Sequence, residues 1–264
     1  MATNEAAARP RRNASPLLAY VLHQYDWSET SLIVELFTRA QGRVVVAAKG
    51  AKRPTSNYRA LLLPFQPVLA LLGRAPADEH GEVHPLRSAE WAGGQPLLGS
   101  SSLLSAFYLN ELLLKLLARQ DPHPTLFDAY ADTLGALATQ AGTGDEAAAL
   151  RAFELLLLRE TGVLPDLAQV TLTAEPLQPA ARYSLQAEAG VAPEAQGAPG
   201  AAWVAWEAAL AHGSTAALRQ AVAPHAAALR APLRALLHYH LGSAALRTRQ
   251  VWQGVQRLAE NAPR

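Results

Sequence analysis

Over the first third of the chain, the pattern of apolar and polar residues has a period of two, as in a β-strand. In "LLAYVLHQY" (17–25) successive side chains take opposite sides of a strand, and both sides are apolar enough for the wall of a barrel. The segments "SLIVELFT" (31–38) and "RVVVAAK" (43–49) flank the turn "RAQG", which predicts a β-hairpin. The remaining strand-like segments are "ALLLPFQPVLALLG" (60–73) and "EVHPLRSAE" (82–90). Five short strands predict a small closed barrel, in which the prolines of the fourth segment restrict it to an edge or a bulge.

The period becomes helical after Pro96. Three segments predict an antiparallel cluster of helices: "SLLSAFYLNELLLKLLAR" (102–119), "TLFDAYADTLGALATQ" (125–140) and "DEAAALRAFELLLLRETG" (145–162). Residues 165–200 lack this period and are rich in proline, glycine and threonine, which predicts a loop-rich lobe. Helices resume with "AAWVAWEAALAH" and end with "APLRALLHYHLGSAALRTRQVWQGVQRLAE". The predicted fold class is α+β, with a basic flexible arm (1–15), a barrel domain (16–92) and a helical domain (96–264) that contains the lobe.

The composition narrows the class of protein. None of the 264 residues is a cysteine, which excludes disulfides and thiolate metal sites and is typical of the reducing cytosol. Prolines or polar residues break the apolar runs well short of the roughly 20 residues that a membrane helix requires. The first sixteen residues also lack the apolar segment of a secretory signal. We therefore expect a cytoplasmic protein without a membrane span.

Charge is segregated along the chain, although the net charge is only +1. Residues 1–77 carry ten basic and four acidic side chains, residues 78–207 carry six and seventeen, and residues 208–264 carry seven and one. No carboxylate lies between Glu35 and Asp78, where seven cations occur. This pattern favours a local positive field that attracts a polyanion. The alternative is that the basic groups pair with the acidic middle of the chain.

The sequence carries no recognisable catalytic motif. The segment "KGAKRPTS" lacks the GK[ST] ending of a phosphate loop, and Pro54 removes a backbone amide that would bind phosphate. The patterns G-x-S-x-G, H-E-x-x-H and G-x-G-x-x-G are also absent. His80, Glu82 and His84 would share one side of a strand as metal ligands, but an exposed polar strand end explains them equally well. We predict no catalysis, no metal site and no other cofactor.

Positive charge is concentrated around the second strand of the predicted hairpin. Side chains alternate along a strand, so Arg43 and Lys49 lie on the same side and flank two small apolar residues. Cations and aromatic rings on a barrel bind single strands without reading their sequence, because phosphates meet the charges and bases stack on the rings. The predicted phosphate contacts are Arg39, Arg43, Lys49, Lys52, Arg53 and Arg59.

Three further residues are candidates with open alternatives. Tyr58 stacks on a base, or it packs against the barrel with only its hydroxyl in water. Arg247 and Arg249 add to these phosphate contacts if the last helix folds back against the barrel. The alternative is that these two arginines cap helix ends and pair with nearby acids.

The same region carries a family resemblance. The segment "SETSLIVELFTRAQGRVVVAAKGAKRPTSNYRALLLPFQP" resembles the amino-terminal region of the RecO recombination-mediator family, whose members show an E-x-S-x-L strand, an F-T-x-x-x-G-[KR] turn, a K-G-[AV]-[KR] stretch, a serine soon after and an L-x-P-F strand. The matching residues are Glu29 and Ser31, with the leucine displaced to Leu32, then Phe37, Thr38, Gly42 and Arg43, then Lys49, Gly50, Ala51 and Lys52, then Ser56, and finally Leu62 or Leu63 with Pro64 and Phe65. "FYLNELLLKLL", "LRAFELLLLRETGVLPDL" and "LRALLHYHLGSAALRTRQVW" are similar to helices of that family, so the resemblance runs from about residue 16 to residue 252.

The resemblance implies an OB-fold barrel followed by a helical domain, binding to single- and double-stranded DNA, and no bond-breaking activity. It also implies strand annealing, contact with the acidic tail of single-strand-binding protein, and cooperation with RecR in loading RecA during DNA repair and recombination. The implied location is cytoplasmic and associated with the nucleoid. Arg119, Arg151 and Arg159 are candidates for binding the acidic tail. The alternative function is a helical protein-interaction adaptor without direct DNA contact.

One departure from the family concerns metal. Many members carry C-x-x-C…C-x-x-C after a P-D-L motif and form a zinc ribbon. At the first pair of positions this chain has Val170 and Thr173, and at the second pair it has Ala192 and Ala195. We predict no zinc, and we expect apolar contacts to hold residues 165–200 instead.

Overall fold

A computed structural model of the protein describes residues 15–74, 82–94, 97–139, 143–242 and 246–260. Its strands are β1 (Leu17–Asp26), β2 (Leu32–Thr38), β3 (Gly42–Ala48), β4 (Pro67–Leu72), β5 (Val83–Trp91), β6 (Arg182–Gln186), β7 (Gly190–Pro193) and β8 (Ala198–Pro199). Its α-helices are α1 (Tyr58–Leu61), α2 (Ser100–Leu116), α3 (Pro124–Thr139), α4 (Gly144–Glu160), α5 (Gly200–His212), α6 (Thr215–Val222), α7 (Ala226–Leu241) and α8 (Arg247–Glu260). The predicted arm at 1–15 lies, except for its last residue, outside the described residues.

Strands β1 to β5 form a closed barrel in the order β1-β2-β3-β5-β4, with β4 pairing back to β1. Neighbouring strands are antiparallel except β3 and β5, which pair in parallel from Val45 opposite Val83 to Ala47 opposite Pro85. A five-stranded Greek-key barrel of this kind is the OB-fold. The predicted fold class, a small barrel followed by helices, is confirmed. The predicted bounds of β1, β2, β3 and β5 are each within one residue of those observed.

The fourth predicted strand is shorter than expected. The sequence favoured a strand over 60–73, but β4 covers only Pro67–Leu72. The residues before it form the short helix α1 and an irregular segment in which Phe65 adopts a left-handed conformation with φ of 68°. Pro64 and Pro67 have no N–H to donate to a strand ladder, so regular pairing begins only at the second proline.

The barrel strands contribute to two apolar cores. Small aliphatic side chains fill the barrel, among them Val34, Leu36, Val44, Val46, Val68 and Ala70. The outward-facing Tyr20 and Phe37 instead join the core of the helices, where the Phe37 ring centroid lies 5.3 Å from that of Phe127. The buried Asn110 of α2 donates to the backbone carbonyl of Leu22 at 3.0 Å. The outer face of the barrel therefore contributes to the core of the helices, and a buried hydrogen bond also joins the two parts.

The helices lie close to the predicted segments. Helices α2, α3 and α4 begin and end within three residues of 102–119, 125–140 and 145–162. The final predicted stretch contains two helices, because α7 ends at Gly242, whose φ of 69° is in the left-handed region. Within the described ranges, no helix combines the length and the apolar character needed to cross a membrane.

Residues 165–200 are more regular than predicted. The expected loop-rich lobe contains a small sheet of three strands in the order β7-β6-β8. The sequence pattern did not predict these strands, because they are only two to five residues long and lie among glycines and prolines. The buried side chains of Leu177, Leu185 and Val191 belong to the same core as the helices. Apolar contacts therefore do hold this segment, as expected.

The positions of the missing cysteines lie in two neighbouring segments, one at the turn 170–173 and the other in β7 and the turn that follows it. Thr171 joins them: its N–H donates to the carbonyl of Val191 at 3.0 Å, and its hydroxyl oxygen accepts from the N–H of Val191 at 2.8 Å. Val170, Ala192 and Ala195 carry no atom that can ligate a metal. The residues present therefore do not fit a zinc ribbon.

The last helix packs mainly against α2. Glu111 of α2 accepts hydrogen bonds from the backbone N–H groups of Arg247 (2.7 Å) and Thr248 (3.0 Å) and from the Thr248 hydroxyl (2.7 Å), so it caps α8. Burial alone would raise the pKa of the Glu111 carboxyl, but these hydrogen bonds outweigh it and leave the pKa lowered. The principal contact of α8 is thus with a helix, whereas the predicted phosphate contacts of Arg247 and Arg249 required contact with the barrel.

Candidate nucleic-acid interface

The two ends of strand β3 have different surroundings. At the first end, the segment that follows α2 crosses the β2–β3 turn, and the N–H of Gln120 donates to the carbonyl of Arg43 at 2.8 Å. Gly42 in this turn has φ of 66°, and a Cβ there would overlap the backbone carbonyl of Asp121. Both its conformation and the close approach of the chain therefore favour glycine. The helical domain covers this end of the barrel face.

Arg43 is enclosed in this junction. Its side chain is 11% exposed, and its Nε lies 3.5 Å from Oε2 of the buried Glu35. Its Nη1 donates to the backbone carbonyls of Leu113, at 3.4 Å, and Leu114. Burial lowers the pKa of the Arg43 guanidinium, and the nearby Glu35 carboxylate opposes that change. This geometry favours a structural role for Arg43 over the predicted phosphate contact, because its donors face protein acceptors.

Two other arginines at the junction also pair with carboxylates. Arg39 donates to Asp128 of α3 from Nε and Nη2, each at 2.9 Å. Arg119 donates to Glu35 and to Glu82, each at 2.8 Å. The contact of Arg39 with Asp128 is therefore of the alternative kind, in which a basic group pairs with the acidic middle of the chain.

The second end of β3 opens into a turn at residues 49–59, which we call the basic turn. Gly50 has φ of 71°, and its N–H donates to the hydroxyl oxygen of Ser31 at 3.3 Å. The N–H of Lys52 donates to the carbonyl of Thr30 at 2.9 Å, and Ala51 is buried in the barrel core. These contacts fix the backbone of the turn against the β1–β2 loop.

Most cations of the basic turn have no counterion in the part of the chain that the structure describes. Lys49, Arg53 and Arg59 are exposed and pair with no carboxylate in the described part of the chain. Lys52 lies 3.0 Å from the carboxylate of Asp26, which is 81% exposed. Such an exposed pair contributes little to stability, so a phosphate can replace Asp26 at small cost. The basic turn therefore keeps a positive surface that the first end of β3 does not have.

Tyr58 combines features of both predicted alternatives. Its hydroxyl donates to the carbonyl of Arg87 on β5 at 3.1 Å, and burial raises the pKa of its phenol. Its ring packs against the barrel core but also borders an open groove of 370 Å³, which Arg59 and Leu63 border as well. The ring is therefore a fixed wall of the groove and not a mobile stacking group.

Sequence reasoning missed the aromatic residues beside the basic turn. Tyr25 at the end of β1 is 47% exposed, and Trp27 in the β1–β2 loop is 55% exposed. Exposed aromatic rings next to cations are typical of surfaces that bind single strands. The alternation of aromatic and polar residues in "QYDWS" at a strand end was the available signal. The exposed Arg87 of β5 was missed as well. It is far from the basic turn in the sequence, and only the folding of the barrel brings it next to Tyr58.

The remaining predicted site residues are not brought to the basic turn by the contacts described. The exposed Arg247 begins α8, whereas the side chain of Arg249 lies outside the described part of the structure. His80 also lies outside the described residues. Of its proposed companions, His84 shares a hydrogen bond with the carbonyl of Gly73 (3.1 Å), and Glu82 pairs with Arg119. The described residues contain no group of three or more side chains arranged to hold a metal ion.

The three arginines considered for an acidic tail all have carboxylate partners. Arg119 pairs with Glu35 and Glu82, and Arg159 pairs with Glu207. Arg151 is mostly buried and donates to Glu154 at 2.7 Å, and Tyr108 donates to the same carboxylate oxygen. Two exposed arginines of α7, Arg230 and Arg234, lie near enough to act on Glu154 and Tyr108 electrostatically.

An OB-fold barrel with an exposed basic turn, packed on a helical domain, is suited to binding oligonucleotides. Residues 17–93 match the family model described as recombination protein O N terminal, and residues 101–250 match the one described as recombination protein O C terminal. The chain therefore belongs to the RecO family.

Several full-length relatives agree with this assignment. The chain is 52% identical over 255 residues to the DNA repair protein RecO of Acidovorax ebreus (strain TPSY), covering 91% of this chain and 96% of the relative. It is 51% identical over 253 residues to that of Variovorax paradoxus (strain S110), with the same coverage. It is 49% identical over 259 residues to that of Paracidovorax citrulli (strain AAC00-1), covering 94% and 99% of the two chains.

Proposed function

We propose that this protein is a non-catalytic recombination mediator that binds single- and double-stranded DNA through the basic turn. The observation that carries the proposal is a fixed turn with three exposed cations that have no counterion in the described part of the chain. Phosphates supply the missing negative charge, and their binding releases condensed counterions. Exposed aromatic rings nearby favour single strands.

Membership of the family supports a wider role. The relatives named above are DNA repair proteins, and a repair role suits a chain that binds DNA without cleaving it. In this role the protein anneals complementary strands and, with RecR, assists the loading of RecA on DNA coated by single-strand-binding protein.

Salt dependence tests DNA binding directly. We expect the affinity for a single strand to fall steeply with salt, because several phosphates are neutralised. The double variant Lys52→Ala/Arg53→Ala removes two contacts, so its slope of log affinity against log salt should be shallower by about 1.4. The corresponding loss of affinity at 0.1 M salt is roughly 25-fold.

The control is Arg182→Ala, which removes one exposed cation from the small sheet at β6. Its slope should equal that of the unmodified protein. Absent binding at low salt, or affinity that does not change with salt, would support the alternative function of a protein-interaction adaptor.

We also propose that the acidic tail of single-strand-binding protein binds around Arg151. Arg151 and Tyr108 both donate to the buried carboxylate of Glu154, and the exposed Arg230 and Arg234 of α7 act electrostatically on Glu154 and Tyr108, respectively, so we expect a positive field there. Arg234→Ala should weaken binding of the tail peptide, whereas Arg159→Ala should not, because Arg159 is already paired with Glu207. Fluorescence anisotropy of a labelled peptide distinguishes the two results.

A further inference from the structure

We propose that the groove beside the basic turn receives one unstacked base of a single strand. This inference rests on the proposed function and adds a ligand subsite to it. The groove has a volume of 370 Å³, which is ample for a nucleobase, and it is open to solvent. Among the residues that line it are Gln24, Leu32, Lys52, Tyr58, Arg59 and Leu63.

The walls of the groove are apolar and fixed. The Tyr58 hydroxyl is held by the carbonyl of Arg87, which sets the orientation of the ring. Leu32 of β2 is half-buried, and Leu63 is 48% exposed and lines the groove together with Lys52 and Arg59. A nucleobase has two flat apolar faces that pack against aromatic and aliphatic side chains. These walls are therefore suited to one base, and the otherwise solvent-exposed Leu63 gains a partner.

One polar atom in the groove is suited to the edge of a base. The side-chain N–H of Gln24 donates to the backbone carbonyl of Leu62, which orients the amide. Its carbonyl oxygen accepts no hydrogen bond from the described residues. An amide oxygen can accept from a ring N–H or an exocyclic amino group of a base. A carboxylate side chain would meet this acceptor unfavourably, so the inside of the groove discriminates against an acidic peptide.

The cations lie where the flanking phosphates would be. Lys52 and Arg59 both border the groove, and Arg59 has no carboxylate partner among the described residues. The groove therefore offers apolar walls for the base of a nucleotide and positive charge for its phosphate. In a duplex the bases are stacked and paired, so only a single strand can place a base in the groove without losing those interactions.

Base-dependent binding separates this subsite from phosphate binding. The probes are an oligothymidylate of about 16 nucleotides, the upper site size of one OB-fold, and an abasic strand of equal length. We expect the unmodified protein to bind oligothymidylate more tightly than the abasic strand. Leu63→Ala should weaken oligothymidylate binding about fivefold and leave abasic-strand binding unchanged.

A leucine elsewhere on the surface provides the control. Leu172 is 76% exposed in the segment between α4 and β6, and Leu172→Ala should bind both strands as the unmodified protein does. Because Leu63 is already half in water, Leu63→Ala should keep the melting temperature of the protein. The comparison is therefore between two folded variants.

Three outcomes would overturn the assignment of the groove. The first is equal affinity of the unmodified protein for the two strands, and the second is an unchanged preference in Leu63→Ala. The third is binding of an acidic peptide that Leu63→Ala abolishes, which would assign the groove to a protein partner. In all three cases, salt-dependent binding of the abasic strand would still support the proposed function. If neither strand binds, the proposed function itself is contradicted.

Discussion

Strand β3 carries positive charge at both ends, but only one end keeps it at the surface. At the first end Arg43 is enclosed by Glu35 and by backbone carbonyls of α2. At the second end, Lys49, Arg53 and Arg59 of the basic turn are exposed and pair with no carboxylate among the described residues. The difference shows that a run of cations in the sequence becomes a binding surface only where the rest of the chain leaves it uncovered.

The largest predicted effect of a single substitution is at the covered end. Arg43→Ala removes the guanidinium that donates to the carbonyls of Leu113 and Leu114 at the end of α2, and it removes one of the two arginines bound to the buried Glu35. Breaking such a pair should lower the free energy of unfolding by about 3 kcal/mol. Urea denaturation measures the loss. The salt dependence of DNA binding by the folded variant should not change, and a change in that slope would place Arg43 in the DNA interface.

A smaller effect is predicted at the start of α8. Glu111→Gln removes the charge that caps this helix and should lower the free energy of unfolding by about 1 kcal/mol. Because the pKa of Glu111 is lowered in the folded state, this stabilisation is present above about pH 4.3, the ordinary value, and is lost as the pH falls through the folded pKa. Hydrogen exchange of the α8 amides should quicken in the variant. The exposed Glu90→Gln is the control, and equal exchange in both variants would argue against the cap.

The smallest effect is predicted for Arg39→Ala. Arg39 and Asp128 are both about half exposed (52% and 53%), so water replaces their interaction almost completely. Chemical denaturation should give the same free energy of unfolding as for the unmodified protein. A loss as large as that of Arg43→Ala would mean that the junction depends on surface charge and not on the buried contacts.

The sequence was sufficient to predict the barrel because its signal is local. Alternation along each strand set the bounds of β1, β2, β3 and β5, and the two prolines indicated that the fourth segment was irregular. The short strands of the small sheet left no such signal, since β8 has only two residues. The four positions that lack the family's cysteines were visible in the sequence, but the hydrogen bonds of Thr171 that join the two segments were not.

The candidate site was only partly predictable, because charge pairing depends on distant parts of the chain. Asp128, which pairs with Arg39, lies 89 positions further along the sequence. The acceptors of Arg43 in α2 are 70 and 71 positions away. Nothing in the run of cations distinguishes Arg43 from Lys49. The groove beside Tyr58 likewise forms only when β1, β2 and the basic turn come together.

The most direct test compares the two ends of strand β3, the covered junction and the basic turn, in one salt titration with single-stranded DNA. The triple variant Lys49→Ala/Arg53→Ala/Arg59→Ala should show a slope shallower by about 2.1 and an affinity roughly 100-fold lower at 0.1 M salt. Arg39→Ala, at the covered end, should bind as the unmodified protein does. A normal slope in the triple variant, or a comparable loss in Arg39→Ala, would contradict the assignment of DNA binding to the basic turn.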